Sequence, residues 1–330
     1  VGEPLLAALA SPAAPLPRVS LGLPVYNGES YVAQAIDSVL AQDFPDFELV
    51  ISDNASTDGT RAICEGYAAR DPRVRYFRNP HNIGISGNFR RVFELARAPY
   101  FKWLVHDDVL APSYLRSCVD LLDQAPPSVA LVYPRTMLID GSGKEIELYE
   151  DLMDLREARP HQRLHHLFQC LGFNHCGLGV IRRDVLASTR LEGSYESADL
   201  VLLVELALRG QFWEHPEPLY RRRVHAQSSF GSYTTPESYA VLMDPSNAGT
   251  FPMPRTRLFA EALRAIQLAR VSPLEKLMCV RALWLGWGPR YWRVVAGELR
   301  RRLRYTLGLK PLPRHPYTPR KRRRPPGERR

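Results

Sequence analysis

Asp107 and Asp108 stand side by side at the end of the apolar run 100–105. Adjacent carboxylates suit a hard divalent cation. Mg2+ and Mn2+ take oxygen ligands and are commonly held by one or two carboxylates together with phosphate oxygens. Such an ion would neutralise a departing diphosphate. Taken alone, the pair is more often a solvated turn. Asp53, which closes the run 47–52, is also a common turn residue. Asp199, just before LVLLVELAL, suits a helix N-cap. His225 follows Arg221, Arg222 and Arg223 and reads equally as part of a surface loop. No one of these residues identifies an enzyme.

The elements that carry them narrow the choice. The run 19–25 (VSLGLPV) is a strand ending in the turn Tyr26-Asn27-Gly28, and a helix with Val32, Ile36, Val39 and Leu40 on one face follows. A second strand, 47–52, ends at Asp53, and the polar loop 54–59 supplies capping residues for another helix. A third strand covers 74–77, HNIGISGN (81–88) opens a third helix, and a fourth strand covers 100–105. This alternation predicts an α/β domain with a largely parallel sheet. Polar residues gather after successive strands, and ligands bind at that carboxyl edge of an open α/β sheet. Further along, 130–139 and 177–182 read as strands and 200–208 as a buried helix. A short strand from Gln211 is expected to give way to a loop over 215–229.

The net charge of +9 belongs to the end of the chain, since residues 301–330 hold twelve Lys/Arg against the single acid Glu328. The rest is near neutral. The tract PRKRRRPPGERR has no base-reading fold beside it, so specific nucleic-acid binding is excluded. Five scattered cysteines without a CxxC pair fit neither a disulfide framework nor a structural zinc site; they point to a cytoplasmic location. No apolar stretch reaches the roughly 18–20 residues that span a bilayer. Residues 1–17 read as a disordered leader.

In order and spacing, LPVYNGESYVAQAIDSVLAQDFPDFELVISDNASTDGT (23–60), HNIGISGNFR (81–90), LVHDDVLAP (104–112), DLVLLVELALRG (199–210) and YRRRVHAQSS (220–229) resemble the landmarks of family-2 glycosyltransferases. The resemblance implies a GT-A fold, with a Rossmann-like, mostly parallel central sheet flanked by helices. It also implies a nucleoside-diphosphate sugar donor, a divalent metal (Mn2+ or Mg2+) and inversion at the anomeric carbon. It implies that Pro24, Tyr26 and Asp53 hold the base, that Asn27 and Glu29 support the loop, and that Asn82 and Asn88 line the donor pocket. Asp107 would meet the ribose or the metal and Asp108 the metal. His225, with Arg222 or Arg223, would face metal and diphosphate, and Asp199 would be the general base. The sequence departs from the family at Val105, where many members carry the first Asp of D-x-D-D. That leaves open which of Asp107 and Asp108 is the direct ligand.

The expected organisation is a leader (1–17), a GT-A domain (18–230), a helical extension (231–310) and a disordered basic tail (311–330). After Pro289, apolar residues Trp292, Val295, Leu299 and Leu303 recur at helical spacing among arginines. That pattern suits either an anionic membrane surface or packing on the catalytic domain. The expected acceptor is a glycan or lipid-linked glycan of the cell envelope, handled at the inner face of the cytoplasmic membrane. A nucleotidyltransferase would instead need a Gly-rich basic loop after the first strand, where Tyr26-Asn27-Gly28-Glu29 stands. A non-catalytic binding member would be expected to lack Asp199 or the Asp pair.

Overall fold

The computed structural model describes residues 16–225 and 235–309. The expected leader (but for Leu16 and Pro17), the tail 311–330 and the loop residues 226–229 lie outside the described residues.

The first half alternates as the sequence predicts: β1 (Val19–Val25), α1 (Val32–Leu40), β2 (Phe47–Asp53), α2 (Thr60–Arg70), β3 (Val74–Arg78), α3 (Gly84–Leu95) and β4 (Tyr100–Trp103). Every residue of β1 and β2 is buried. Strands covered on both faces read as continuous apolar runs rather than alternating ones. In α1 the buried Val32, Ala35, Ile36 and Val39 fall on one helical stripe.

Next come β5 (Val109–Leu110), α4 (Tyr114–Gln124), β6 (Val129–Ile139), β7 (Glu145–Tyr149), α5 (Pro160–Gln169), β8 (Val180–Arg182), α6 (Arg183–Ala187), α7 (Ala198–Arg209) and β9 (Gln211–Arg223). The helices α8 (Pro236–Met243), α9 (Pro254–Leu268) and α10 (Pro273–Thr306) follow. The strands form one sheet in the order β3-β2-β1-β4-β8-β6-β9-β5, with β7 beside β6. β1 pairs in parallel with β2 and β4, β2 with β3, and β6 with β9. The chain runs outward from β1 to β3 and then returns to the other side of β1 as β4. That reversal opens a crevice at the carboxyl ends of β1 and β4.

Helices α1 and α4 pack on one face of the sheet, where Ile36, Val39, Leu115 and Val119 meet Leu21, Leu23 and Leu49. On the other face, α3, α5, α7, α9 and α10 share a second core around Phe101, Leu131, Phe168, Leu203, Ile266 and Trp287. The expected boundary after residue 230 falls outside the described residues, and the helices beyond it contribute to this same core.

Two sequence expectations change. The strand expected over 177–182 is a 3-10 turn (His175–Leu178) followed by the shorter β8. The loop expected from residue 215 is instead strand as far as Arg223. Pro216 and Pro218 lack the N–H needed for a regular ladder, so the register jumps from Pro134↔His215 to Thr136↔Tyr220. The prolines bulge the strand without ending it.

Candidate active site

The crevice is floored by the loop after β1. Asn27 adopts a left-handed backbone (φ 48°). Its Oδ1 accepts from the Thr57 amide at 2.8 Å, and its own amide donates to Ser56 Oγ at 2.9 Å. Glu29 Oε2 accepts from the Gly59 amide at 2.7 Å. The β1 and β2 loops are thus sewn together. Gly28 sits against the loop after β4, where an added Cβ would lie 2.7 Å from the His106 ring. Tyr26 and Asn82 are exposed at this edge, while Pro24 is buried within β1.

Asp53 is wholly buried. It accepts from the Ser56 amide at 2.8 Å, Tyr76 Oη at 2.7 Å and Arg78 Nη1 at 2.6 Å. Burial alone would raise its carboxyl, but Ser56, Tyr76 and Arg78 outweigh it and hold the group below the usual aspartate value. Hydrogen bonds to an ionised carboxylate contribute about 1.5–3 kcal/mol each, so Asp53 anchors this loop firmly. Asn88 was expected to line a pocket, but it is buried. Its Nδ2 donates to Ser52 O at 2.9 Å and its Oδ1 accepts from Asn79 at 3.1 Å. It ties strand ends together and presents no free polar atom to the crevice.

The adjacent carboxylates divide sharply. Asp108 is fully buried, and both its oxygens are engaged. Oδ1 accepts from the Arg223 amide at 2.9 Å; Oδ2 accepts from Arg222 Nη1 at 3.0 Å and from the Tyr220 hydroxyl. Asp107 differs. Its Oδ2 lies 3.0 Å from His225 Nε2, whereas its buried Oδ1 has no partner among the described residues. Burial acts to raise Asp107, but His106, Arg222 and His225 prevail and hold it below the ordinary range.

Arg223 is not placed to meet a diphosphate. It is buried, with Nε donating to Asp107 O at 2.9 Å, Nη1 to Gly141 O at 3.0 Å and Nη2 to Gln34 Oε1 at 2.8 Å. Its guanidinium lies 4.5 Å from the Tyr31 ring, and that ring in turn packs 4.9 Å from His225. Tyr31 and Gln34 therefore position the cluster. Both lie within the run 23–60, yet neither stood out in it, because their role depends on how the start of α1 meets Arg223 and His225. Among the described residues no group of three or more His, Cys, Asp or Glu side chains is placed to hold a metal. Asp107 with His225 does fit an ion that is completed by oxygens of a bound diphosphate, and the unpartnered Oδ1 supplies the open donor.

On the far side of the cleft, Asp199 occupies the first turn of α7, after Ser197 in a left-handed backbone (φ 62°). Solvent reaches the carboxylate, and Asn174 Nδ2 lies 3.5 Å from its Oδ2. The surrounding protein nevertheless strips enough water to raise Asp199 above the usual aspartate value, against the pull of Asn174. Glu192 is pushed up to about 8, first by burial and then by the Asp199 charge. Burial also raises Glu196, opposed by Arg255, whose Nη2 lies 3.1 Å from its carboxylate. This wall therefore holds carboxyls that part with a proton reluctantly.

A sequence model of glycosyl transferase family 2 matches residues 20–189, more than half of the chain. The chain belongs to glycosyl transferase family 2. A Rickettsia bellii protein named as an uncharacterized glycosyltransferase is 32% identical over 130 residues, which cover 39% of this chain and 18% of that protein. Chondroitin synthase of Escherichia coli is 34% identical over 131 residues, 40% of this chain and 19% of that one. The matched stretch is thus about a fifth of each relative's length. Among solved structures, S. aureus TarS in complex with UDP superposes with a TM-score of 0.59 at 16% identity, covering 89% of this chain and 75% of TarS. TarS with UDP-GlcNAc gives 0.54 at 17% identity, covering 88% and 87%. These likenesses establish the GT-A fold of this family-2 chain.

Proposed function

We propose that this chain transfers a sugar, with inversion, from a nucleoside-diphosphate sugar to an acceptor hydroxyl. The observation that carries the reading is the buried Asp107 Oδ1, unpartnered among the described residues, beside His225 at the carboxyl edge of the sheet. Asp107 and His225 would hold a divalent ion, which supplies positive charge to the departing diphosphate. Asp108 then acts indirectly. By binding Tyr220, Arg222 and the Arg223 amide it fixes the end of β9 and so the approach to His225.

The base would meet Tyr26 and the loop anchored by Asp53 and Asn27. Across the cleft, Asp199 takes the proton of the acceptor hydroxyl as that oxygen bonds to the anomeric carbon and the bond to the diphosphate oxygen breaks. A base whose pKa is raised toward working pH is better matched to this task than an ordinary aspartate. Attack from the face opposite the leaving group inverts the anomeric centre.

The proposed acceptor belongs to a cell-envelope polysaccharide or glycolipid, reached at a membrane surface. Support comes from α10, which buries Cys279, Leu283 and Trp287 but leaves Leu277, Trp284, Trp292, Leu299 and Leu303 exposed beside Arg293 and Arg300. No described helix is long and apolar enough to cross a membrane.

The test is a thermal-shift titration with UDP and GDP sugars, with and without Mn2+. UDP sugars come first because the similarly folded TarS has been solved with UDP and UDP-GlcNAc. A metal-dependent rise in Tm with one nucleotide sugar is expected, since a ligand of the folded state stabilises it. No shift at millimolar concentration would overturn the donor assignment.

A further inference from the structure

Between α5 and β8 the chain builds something that the reaction scheme has not used. Phe173 is 54% exposed, yet it is held rigidly. Its amide donates to the Tyr149 hydroxyl at 2.8 Å, and a Cβ on Gly172 would collide with that same hydroxyl. Asn174 follows in a left-handed backbone (φ 59°). The Phe173 ring stacks on His175 with centroids 5.5 Å apart and planes 10° apart, and it tilts against Tyr149 at 5.1 Å. His175 is itself buried, with Nδ1 3.1 Å from Thr136 Oγ1. A large aromatic would ordinarily be buried; here the ring packs on His175 and Tyr149 and about half of the residue is left to solvent.

The neighbour in sequence decides what that exposed surface is for. Asn174 Nδ2 is 3.5 Å from Asp199 Oδ2. Phe173 is therefore the chain neighbour of a residue that reaches the proposed base. We propose that Phe173, backed by His175 and Tyr149, is the platform for the acceptor, and that the acceptor is a carbohydrate whose ring lies flat on it. The assignment rests on the reading of Asp199 as the base.

A pyranose presents a face of C–H bonds made electropositive by the ring oxygens, which complements the negative face of an aromatic ring. Its hydroxyls project around the rim, where Asn174 and Asp199 meet them. A lipid chain would gain nothing from that polar rim. Holding the sugar on a rigid plate fixes the hydroxyl relative to Asp199, and such positioning raises the rate without taking part in bond making. Phe173 is accordingly a positioning and specificity residue.

The test uses the full chain with UDP present and defined oligosaccharides of glucose, N-acetylglucosamine, mannose and galactose as probes, read by saturation-transfer NMR. At least one probe is expected to bind with its ring C–H protons closest to the protein. Phe173→Ala should weaken that probe by about tenfold, the scale of a lost aromatic contact. Phe173→Tyr should retain it, whereas Phe173→Leu should not. In turnover, Phe173→Ala should raise the acceptor KM while the donor KM and the donor thermal shift stay as they are. Absence of binding by every probe, or equal binding by Phe173→Ala, would overturn the platform. Absence of a donor response with Phe173-dependent oligosaccharide binding intact would instead overturn the transferase reading and leave a carbohydrate site.

Discussion

Asp107 and Asp199, on the two walls of the cleft, are shifted in opposite directions. At the β4–β9 wall, Asp107 lies beside His106, Arg222 and His225 and is held below its ordinary pKa, whereas burial raises the enclosed Asp108 in spite of Arg222 and Tyr220. At the α7 wall, Asp199, Glu192 and Glu196 lie in protein with few cations, and all three are raised. Asp107 keeps its negative charge, as suits a partner for a cation. The α7 wall keeps a carboxyl poised to gain a proton. Burial acts on both walls, so the difference comes from the supply of positive charge and hydrogen-bond donors.

Exchanging function at each wall tests this contrast, beginning with the largest effect. Asp199→Asn should lower kcat by on the order of 10^2–10^4, the usual contribution of a general base. Donor affinity, measured by thermal shift, should be unchanged, and retained turnover would remove Asp199 from the scheme. Asp108→Ala should act on the fold instead. It leaves Arg222 and Tyr220 buried without their acceptor, a loss of about 3–5 kcal/mol that urea denaturation would read. Asp107→Asn should spare stability and abolish the Mn2+-dependent part of the nucleotide-sugar shift. If Asp107→Asn unfolds the chain and Asp108→Ala does not, their roles are reversed.

Smaller effects appear in pH. With Asp199 as the proposed base, transfer requires it ionised, so kcat should fall on acidification at a higher pH than an ordinary aspartate, near 3.9, would dictate. Glu192 gives a stability signature. Its folded pKa of about 8 lies above the unfolded value near 4.3, so between them the folded state binds more protons. Its contribution to stability is present below the unfolded value and is lost as pH rises through about 8. Glu192→Gln should flatten that part of the urea-midpoint profile. An unchanged slope would show that Glu192 titrates normally. Asp199→Asn should also draw the Glu192 titration downward, by removing the neighbouring charge.

The nucleotide-side half of this arrangement was legible in the sequence because it is local. Apolar runs end in turns, and Asp53, Asn27 and the Asp pair fall at those ends whatever the rest of the chain does. The division between Asp107 and Asp108 was not legible. It depends on which β9 residue faces which carboxylate, and the bulge at Pro216 and Pro218 sets that register. Asn88 shows the reverse failure. Its position in HNIGISGN suggested a pocket lining, yet α3 turns it inward to the backbone of β1 and β2. Phe173 carried no signal at all. Its placement follows from the Phe173 amide meeting the Tyr149 hydroxyl across 24 residues, a contact no window of sequence displays.

The bulge in β9 has a consequence for how this chain tolerates length changes. Side chains alternate along a strand, so removing one residue moves every later one to the opposite face. Surface loops absorb such deletions. Between Pro218 and Tyr220, however, there is no slack, because Tyr220 and Arg222 must face Asp108 while Arg221 faces outward toward Glu145. Deleting Leu219 would present Arg221 in place of Tyr220 and Arg223 in place of Arg222. At that point in the chain, the count of residues constrains the protein as tightly as their identity does.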